Sequence, residues 1–223
     1  TVYDSDWNYA GTLTTDESGY ANTLDLIAGT YYVQESTASW NFDVNTETNE
    51  VYVVAGETAW VTSPGSSWCN ENPKRGSIKV IKKSADDRTA GNNNYTFEGI
   101  VYTITDKRTG ESLDVTLNAN GEGQIDGLIF DEYEIKEKST NDCYILDSTP
   151  ITLNLTEPIQ LTANFTDKPE RTKIAIQKTS SDLKSLTNKR YTLKGIQYTV
   201  VHAGDTPLKG KSEGTITLDE TGY

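Results

Sequence analysis

The 223-residue chain has no methionine, a single histidine (His202), two cysteines, six prolines and no apolar run near the roughly 20 residues that a membrane helix needs. Each shortage removes a class of function. With a single imidazole neither an HExxH zinc site nor the standard Ser-His-Asp triad competes well, and two thiols cannot build a four-sulfur metal centre. Basic side chains are also scarce, 20 against 33 acidic, for a formal charge of −13. Lys and Arg form no cluster interleaved with aromatics, so neither nucleic acid nor an anionic lipid surface is an expected partner. There is no charged-then-apolar leader at Thr1, and the sequence reads as a piece of a longer chain. No metal or cofactor is called for.

What the sequence has is repetition, with a period of about 100 residues. Thr15-Asp-Glu-Ser-Gly-Tyr20 corresponds to Leu218-Asp-Glu-Thr-Gly-Tyr223, with Leu117-Asn-Ala-Asn-Gly121 between them. Gly76-Ser-Ile-Lys-Val-Ile-Lys82 matches Thr172-Lys-Ile-Ala-Ile-Gln-Lys178, and the Tyr95 to Tyr102 segment matches Tyr191 to Tyr198. Gly29-Thr-Tyr-Tyr-Val-Gln-Glu35 matches Asp131-Glu-Tyr-Glu-Ile-Lys-Glu137. These pairs predict one complete repeat over 75–170, preceded by the C-terminal part of another over 1–74 and followed by the N-terminal part of a third over 171–223.

Within a repeat the local signal is alternation, as in half-buried strands. Ile78, Val80 and Lys82 share a phase, as do Tyr133, Ile135 and Glu137, and Ile159, Leu161, Ala163, Phe165 and Asp167. Turn signals lie at Asp106 to Gly110, Asn118 to Gly121, Thr156 to Pro158 and Ala55 to Glu57, and 32 threonines suit solvent-facing strand positions. Ser84 to Asn94 and Ser180 to Lys189 read as polar loops or short helical turns. The predicted class is all-β, tandem β-sandwiches with little helix.

Lys82, Glu137 and Asp167 fall in phase with the apolar faces of their strands, where charged residues are rarely placed. Burial would lower an amine's pKa and raise those of carboxyls, so a neutral lysine and a protonated glutamic acid become accessible. A neutral amine is a nucleophile, and a carboxyl relieved of its charge is an electrophile. The trio has the parts to condense into an amide. The plainer alternative is a buried salt bridge at a strand end.

Gly76 to Lys82, Tyr95 to Tyr102, Gly121, Tyr133 to Glu137 and Phe165-Thr-Asp-Lys-Pro169, in this order, resemble the Cna-B/SpaA-type immunoglobulin-like repeats of Gram-positive surface proteins and pilins. That resemblance implies an intramolecular isopeptide bond. Lys82 would be the nucleophile, Glu137 the catalytic acid and Asp167 the acceptor, in a position more often occupied by Asn. The third repeat would offer Lys178, and the first Glu35 with Asn70 as acceptor, Asn72 being the second choice. The function it implies is a stalk or shaft segment of a bacterial cell-surface adhesin, pilus or filament, extracellular, reacting once per repeat and so not an enzyme with turnover. Partners would be neighbouring repeats and other copies in a filament.

The alternative is a binding module for host matrix or glycan, using acidic loops and exposed aromatics drawn from Trp40, Trp60, Trp68 and the 13 tyrosines, although sandwich cores and edges use the same residues. Cys69 and Cys143 either pin the junction of the first two repeats as a disulfide or remain free thiols. Asp43 to Glu50 lacks the glycine and spacing of a calcium loop and reads as solvated.

Overall fold

Alternation of apolar and polar side chains produces short strands throughout the computed structural model, which describes residues 1–22, 24–61, 71–204 and 207–223. Contacts divide them into two compact units. The first comprises Thr1–Ser77, Asp126–Asp131 and Asn154–Leu161, and the second Ile78–Ile125, Glu132–Leu153 and Thr162–Tyr223.

Six strands belong to the first unit: β1 (Val2–Asp4), β2 (Tyr9–Gly11), β3 (Gly29–Gln34), β4 (Phe42–Asp43), β5 (Thr48–Val53) and β6 (Asn72–Pro73). They make an antiparallel sheet of order β2-β1-β3-β5 and a separate β4-β6 pair. Val2 and Tyr31 point to its buried face.

The second unit is built on β7 (Gly76–Ser84), β8 (Val101–Asp106), β9 (Ser112–Thr116), β10 (Glu122–Leu128), β11 (Asp131–Ser139), β12 (Ile151–Leu155) and β13 (Gln160–Asp167). These form a three-stranded sheet, β10-β7-β13, and a four-stranded sheet, β12-β11-β8-β9. The inward side chains of both sheets make one core, with Ile78 and Val80 from β7, Tyr102 and Ile104 from β8, Ile135 from β11 and Phe165 from β13 all buried. Tyr102 and Phe165 meet across the sandwich with ring centroids 4.5 Å apart. Fully burying side chains of this size contributes about 1.5–3 kcal/mol each. The four-stranded sheets of the two units share one strand order, with β1, β2, β3 and β5 standing where β8, β9, β11 and β12 stand.

A hairpin of β14 (Gln197–Val201) and β15 (Ser212–Thr217) follows. Among the described residues helix is confined to a 3-10 turn at Asp87–Thr89 and a four-residue α-helix at Leu183–Leu186, each opened by an aspartate that accepts from a backbone amide. Both fall in the segments expected to be polar loops or helical turns. Among the described residues no helix is long and apolar enough to cross a membrane.

The predicted turns lie between strands, and the one at Gly121 is constrained by its neighbours. Gly121 has φ 81°, and a Cβ there would sit 2.4 Å from the Lys82 carbonyl oxygen. Gly222 repeats this geometry against the Lys178 carbonyl, with φ 79° and the same 2.4 Å. One expectation fails at Ile159. It precedes β13, in the bend that follows Glu157, and is exposed, because the strand alternation that would turn it inward starts only at Gln160.

Candidate cross-linking site

Three strands deliver three charged groups to one point in the sandwich core. Lys82 is the seventh residue of β7 and shares its buried face with Ile78 and Val80. Glu137 follows Tyr133 and Ile135 on β11, and Asp167 follows Ala163 and Phe165 at the end of β13. Their exposures are 1%, 2% and 2%. The period-two alternation that buries the apolar residues therefore buries these three as well.

The ammonium of Lys82 donates to Glu137 Oε1 at 2.6 Å and to Asp167 Oδ2. Its third proton faces the Tyr102 hydroxyl oxygen at 3.2 Å, and the same Nζ lies 5.4 Å from the Tyr102 ring centroid. Glu137 Oε2 accepts from the Asp147 amide at 3.0 Å, which fixes the carboxyl from its far side. All three donor sites of the amine are thus occupied. Taking such ions from water costs several kcal/mol each, which the close pairing offsets.

Burial pushes the Glu137 pKa upward, and the adjacent Asp167 carboxyl pushes the same way, against the opposing pull of Lys82 and the Asp147 amide. Tyr102 is driven higher still, first by burial and then by the Glu137 and Asp167 charges, so its hydroxyl keeps its proton. The site favours the protonated forms of Glu137 and Tyr102. Amine nitrogen and carboxyl carbon are held adjacent in a dry enclosure, the arrangement amide condensation requires.

Tyr102 is the functional neighbour that sequence reasoning missed. A signal for it existed, because Tyr198 follows Lys178 at the same separation of 20 residues and accepts from Lys178 Nζ at 3.2 Å. The Lys178 ammonium lies 5.7 Å from the Tyr198 ring centroid. Its side chain is exposed, unlike that of Lys82. Backbone pairing also repeats, Lys82 N to Gly121 O at 2.8 Å and Lys178 N to Gly222 O at 2.9 Å.

Glu35 occupies the position in β3's continuation that Glu137 holds in β11. Its Oε2 accepts from the Asn45 amide at 2.5 Å, ten residues downstream, as Glu137 does from Asp147. The Glu71 carboxyl lies beside it, its pKa raised by burial and then by Glu35. Asn70, the expected acceptor for Glu35, lies outside the described residues, as do Trp68 and Cys69. Asn72 is exposed in β6, paired with Asp43. Cys143 carries a free thiol 3.4 Å from the Asn94 carbonyl oxygen. Among the described residues no group of three or more His, Cys, Asp or Glu is placed to hold a metal ion.

The sequence profile of the SpaA prealbumin-like fold domain matches residues 1–64 and 76–169. Among curated proteins, the trypsin-resistant surface T6 protein of Streptococcus pyogenes serotype M6 is 26% identical over 129 residues, covering 58% of this chain and 22% of that protein. Among solved structures, the TIE protein of Bacillus anthracis superposes with a TM-score of 0.60 at 16% identity, over 99% of this chain and 38% of that one. The minor pilin GBS52 of Streptococcus agalactiae aligns at 18% identity with a TM-score of 0.38, over 74% of this chain and 71% of that one. This chain spans well under half the length of the first two relatives. The two stretches matched by the profile take in most of its residues, Lys82, Glu137 and Asp167 among them, and the chain belongs to the SpaA prealbumin-like fold domain family.

Proposed function

We propose that this chain is a shaft segment of a bacterial surface filament or adhesin, in which tandem sandwiches over 1–74, 75–170 and 171–223 are stiffened by internal isopeptide bonds. The observation that supports this most is the buried contact of Lys82, Glu137 and Asp167. The Lys82 ammonium first gives a proton to the carboxyl pair. The neutral amine attacks the Asp167 carboxyl carbon, while Glu137 holds a proton on the carboxyl oxygen and then helps it leave as water. Lysine amine and aspartic acid become an amide and one water, and Glu137 ends as it began. The reaction happens once, so the protein is a self-modifying structural element without turnover.

The bond would join the first and last strands of the second unit's sandwich. Tension entering at β7 would leave through β13 without loading the strands between them. Beyond that sandwich, Asp86 accepts from Arg88 at 2.7 Å and pairs with Arg171, while Arg88 reaches Glu213 at 2.6 Å, which in turn meets His202 at 2.8 Å. These exposed pairs add little stability singly. As a network they tie residues 86–88 to 171 and 213. A surface location and association with other copies follow from this reading.

Pulling single chains by their ends tests it. Lys82 and Asp167 are 85 residues apart, so an unlinked sandwich unravels by about 300 Å at 3.3–3.6 Å per residue. A linked one releases none of that length. Extension events of about 300 Å from this sandwich at ordinary unfolding forces would refute the shaft reading.

A further inference from the structure

The four-stranded sheets of the two units share strand order, yet their solvent faces differ completely. On β8, β9 and β11 the outward row is Thr105, Ser112 and Glu134, in cross-strand register. On β1, β2 and β3 the matching row is Tyr3, Tyr9 and Tyr32. Tyr52 lies on the same face of β5, one register step from Tyr32. The polar version shows that this sheet folds without aromatics on its outer face, so the tyrosines are surplus to folding.

The turn joining β1 to β2 adds Trp7. Asp4 Oδ1 accepts from the Asp6 and Asn8 amides, both at 2.9 Å, and the Trp7 amide donates to the Asp4 carbonyl at 3.0 Å. Trp7 has φ 62°, the only positive φ at a non-glycine among the described residues. The turn from β8 to β9, one residue longer, also gathers backbone amides on an aspartate, Asp106, but places Gly110 at the left-handed position before the residue that closes it, φ 77°. An indole where glycine is natural strains the backbone, and such strain marks positions held for another purpose. The ring lies flat on Tyr32, centroids 4.6 Å apart and planes 10° apart, with Tyr3 at 5.7 Å. Trp7, Tyr9 and Tyr52 are 55%, 67% and 65% exposed.

Charge identifies the partner. Residues 1–73 carry eleven of the 33 carboxylates and no Lys, Arg or His, so nearly all of the chain's −13 arises there. Glu50 stands directly across from Tyr32 on the aromatic face. Electron-rich ring faces in a field of one negative sign attract guanidinium and ammonium groups. A neutral glycan would gain from the rings and nothing from the charge.

We propose that the Trp7, Tyr3, Tyr9, Tyr32 and Tyr52 face docks an extended basic segment of another protein, with Arg or Lys side chains seated on the rings. The proposal is independent of the cross-link, since none of these residues touches Lys82, Glu137 or Asp167.

The test titrates the full chain with a nine-residue arginine peptide in about 50 mM salt, where surface charges are weakly screened. Calorimetry gives the affinity, and the Trp7 indole N–H resonance reports the place. The double variant Trp7→Gly, Tyr9→Ser keeps the net charge and uses residues that the homologous face and turn already tolerate. The expected result is a Trp7 resonance shift in the parent and about tenfold weaker binding in the variant. Equal affinity in parent and variant would overturn the proposal, showing charge alone at work. So would a Trp7 resonance that ignores the peptide but moves with a neutral N-acetylglucosamine tetramer.

Discussion

Replacing Glu137 by Gln isolates the contribution of the proposed bond. A glutamine keeps the size of the side chain and leaves Lys82 in contact with Asp167, and its single oxygen accepts from Lys82 or from the Asp147 amide, at the loss of the other hydrogen bond, about 1 kcal/mol. What it cannot do is hold the proton that condensation needs. The parent then differs from the variant mainly by a covalent tie across 85 residues. Treated like a disulfide of that loop length, the tie stabilises by about 4.6 kcal/mol, mostly by restricting the unfolded chain. For a sandwich of this size each kcal/mol moves the midpoint by about 4–8 °C, so the variant should melt some 20–35 °C lower. Far-UV circular dichroism on the full chain, with hydrogen exchange on β7 and β13 peptides, resolves this transition from that of the first unit. Parent and variant midpoints for β7 and β13 that agree within about 5 °C would refute the entropy argument.

Three smaller perturbations probe the surroundings. Tyr102→Phe removes the hydroxyl that accepts from Lys82, so the amine loses a partner; the unlinked state should weaken by about 1 kcal/mol and cross-linking should slow, as read by mass against time after refolding. Gly121→Ala puts a Cβ 2.4 Å from the Lys82 carbonyl at φ 81° and should destabilise by more than about 1 kcal/mol in chemical denaturation, with no loss if the turn can shift away. Asp86 is held down to about 2 by its hydrogen bonds to Arg88 and by the Arg88 and Arg171 charges. A carboxyl with a lowered folded pKa contributes above its ordinary value near 3.8 and loses that contribution as pH falls toward 2. Tryptic cleavage after Arg171 at neutral pH should accordingly be faster in Asp86→Asn than in the parent, and unchanged cleavage would show that the pair does not hold this segment.

Much of this architecture was legible in the sequence because period-two alternation carries face information directly. Lys82, Glu137 and Asp167 were marked by phase alone, and each is buried on the face its phase assigned. Alternation says nothing about what crosses the sandwich. The Tyr102 hydroxyl beside Lys82 and the Asp147 amide behind Glu137 arise from sheet stacking and a loop return, which no local pattern encodes. Phase also overreaches at strand ends, as at Ile159, where the run is extended but the strand has not begun. Trp7 escaped notice for a different reason. Its importance lies in a φ value and in contrast with Gly110, and both appear only once the two turns are superposed. Of the aromatics the sequence suggested, the tyrosines supply this face, whereas Trp40 and Trp60 are exposed but lie outside the β1-β2-β3-β5 strands.

The central claim is a covalent bond between Lys82 and Asp167, and an intact mass of the purified chain addresses it most directly. The account predicts a parent lighter than its sequence by at least one water, with tryptic peptides joined through Lys82 and Asp167, and a Glu137→Gln variant in which that joined peptide is missing. A parent at its full sequence mass, with Lys82 and Asp167 recovered on separate peptides, would contradict it.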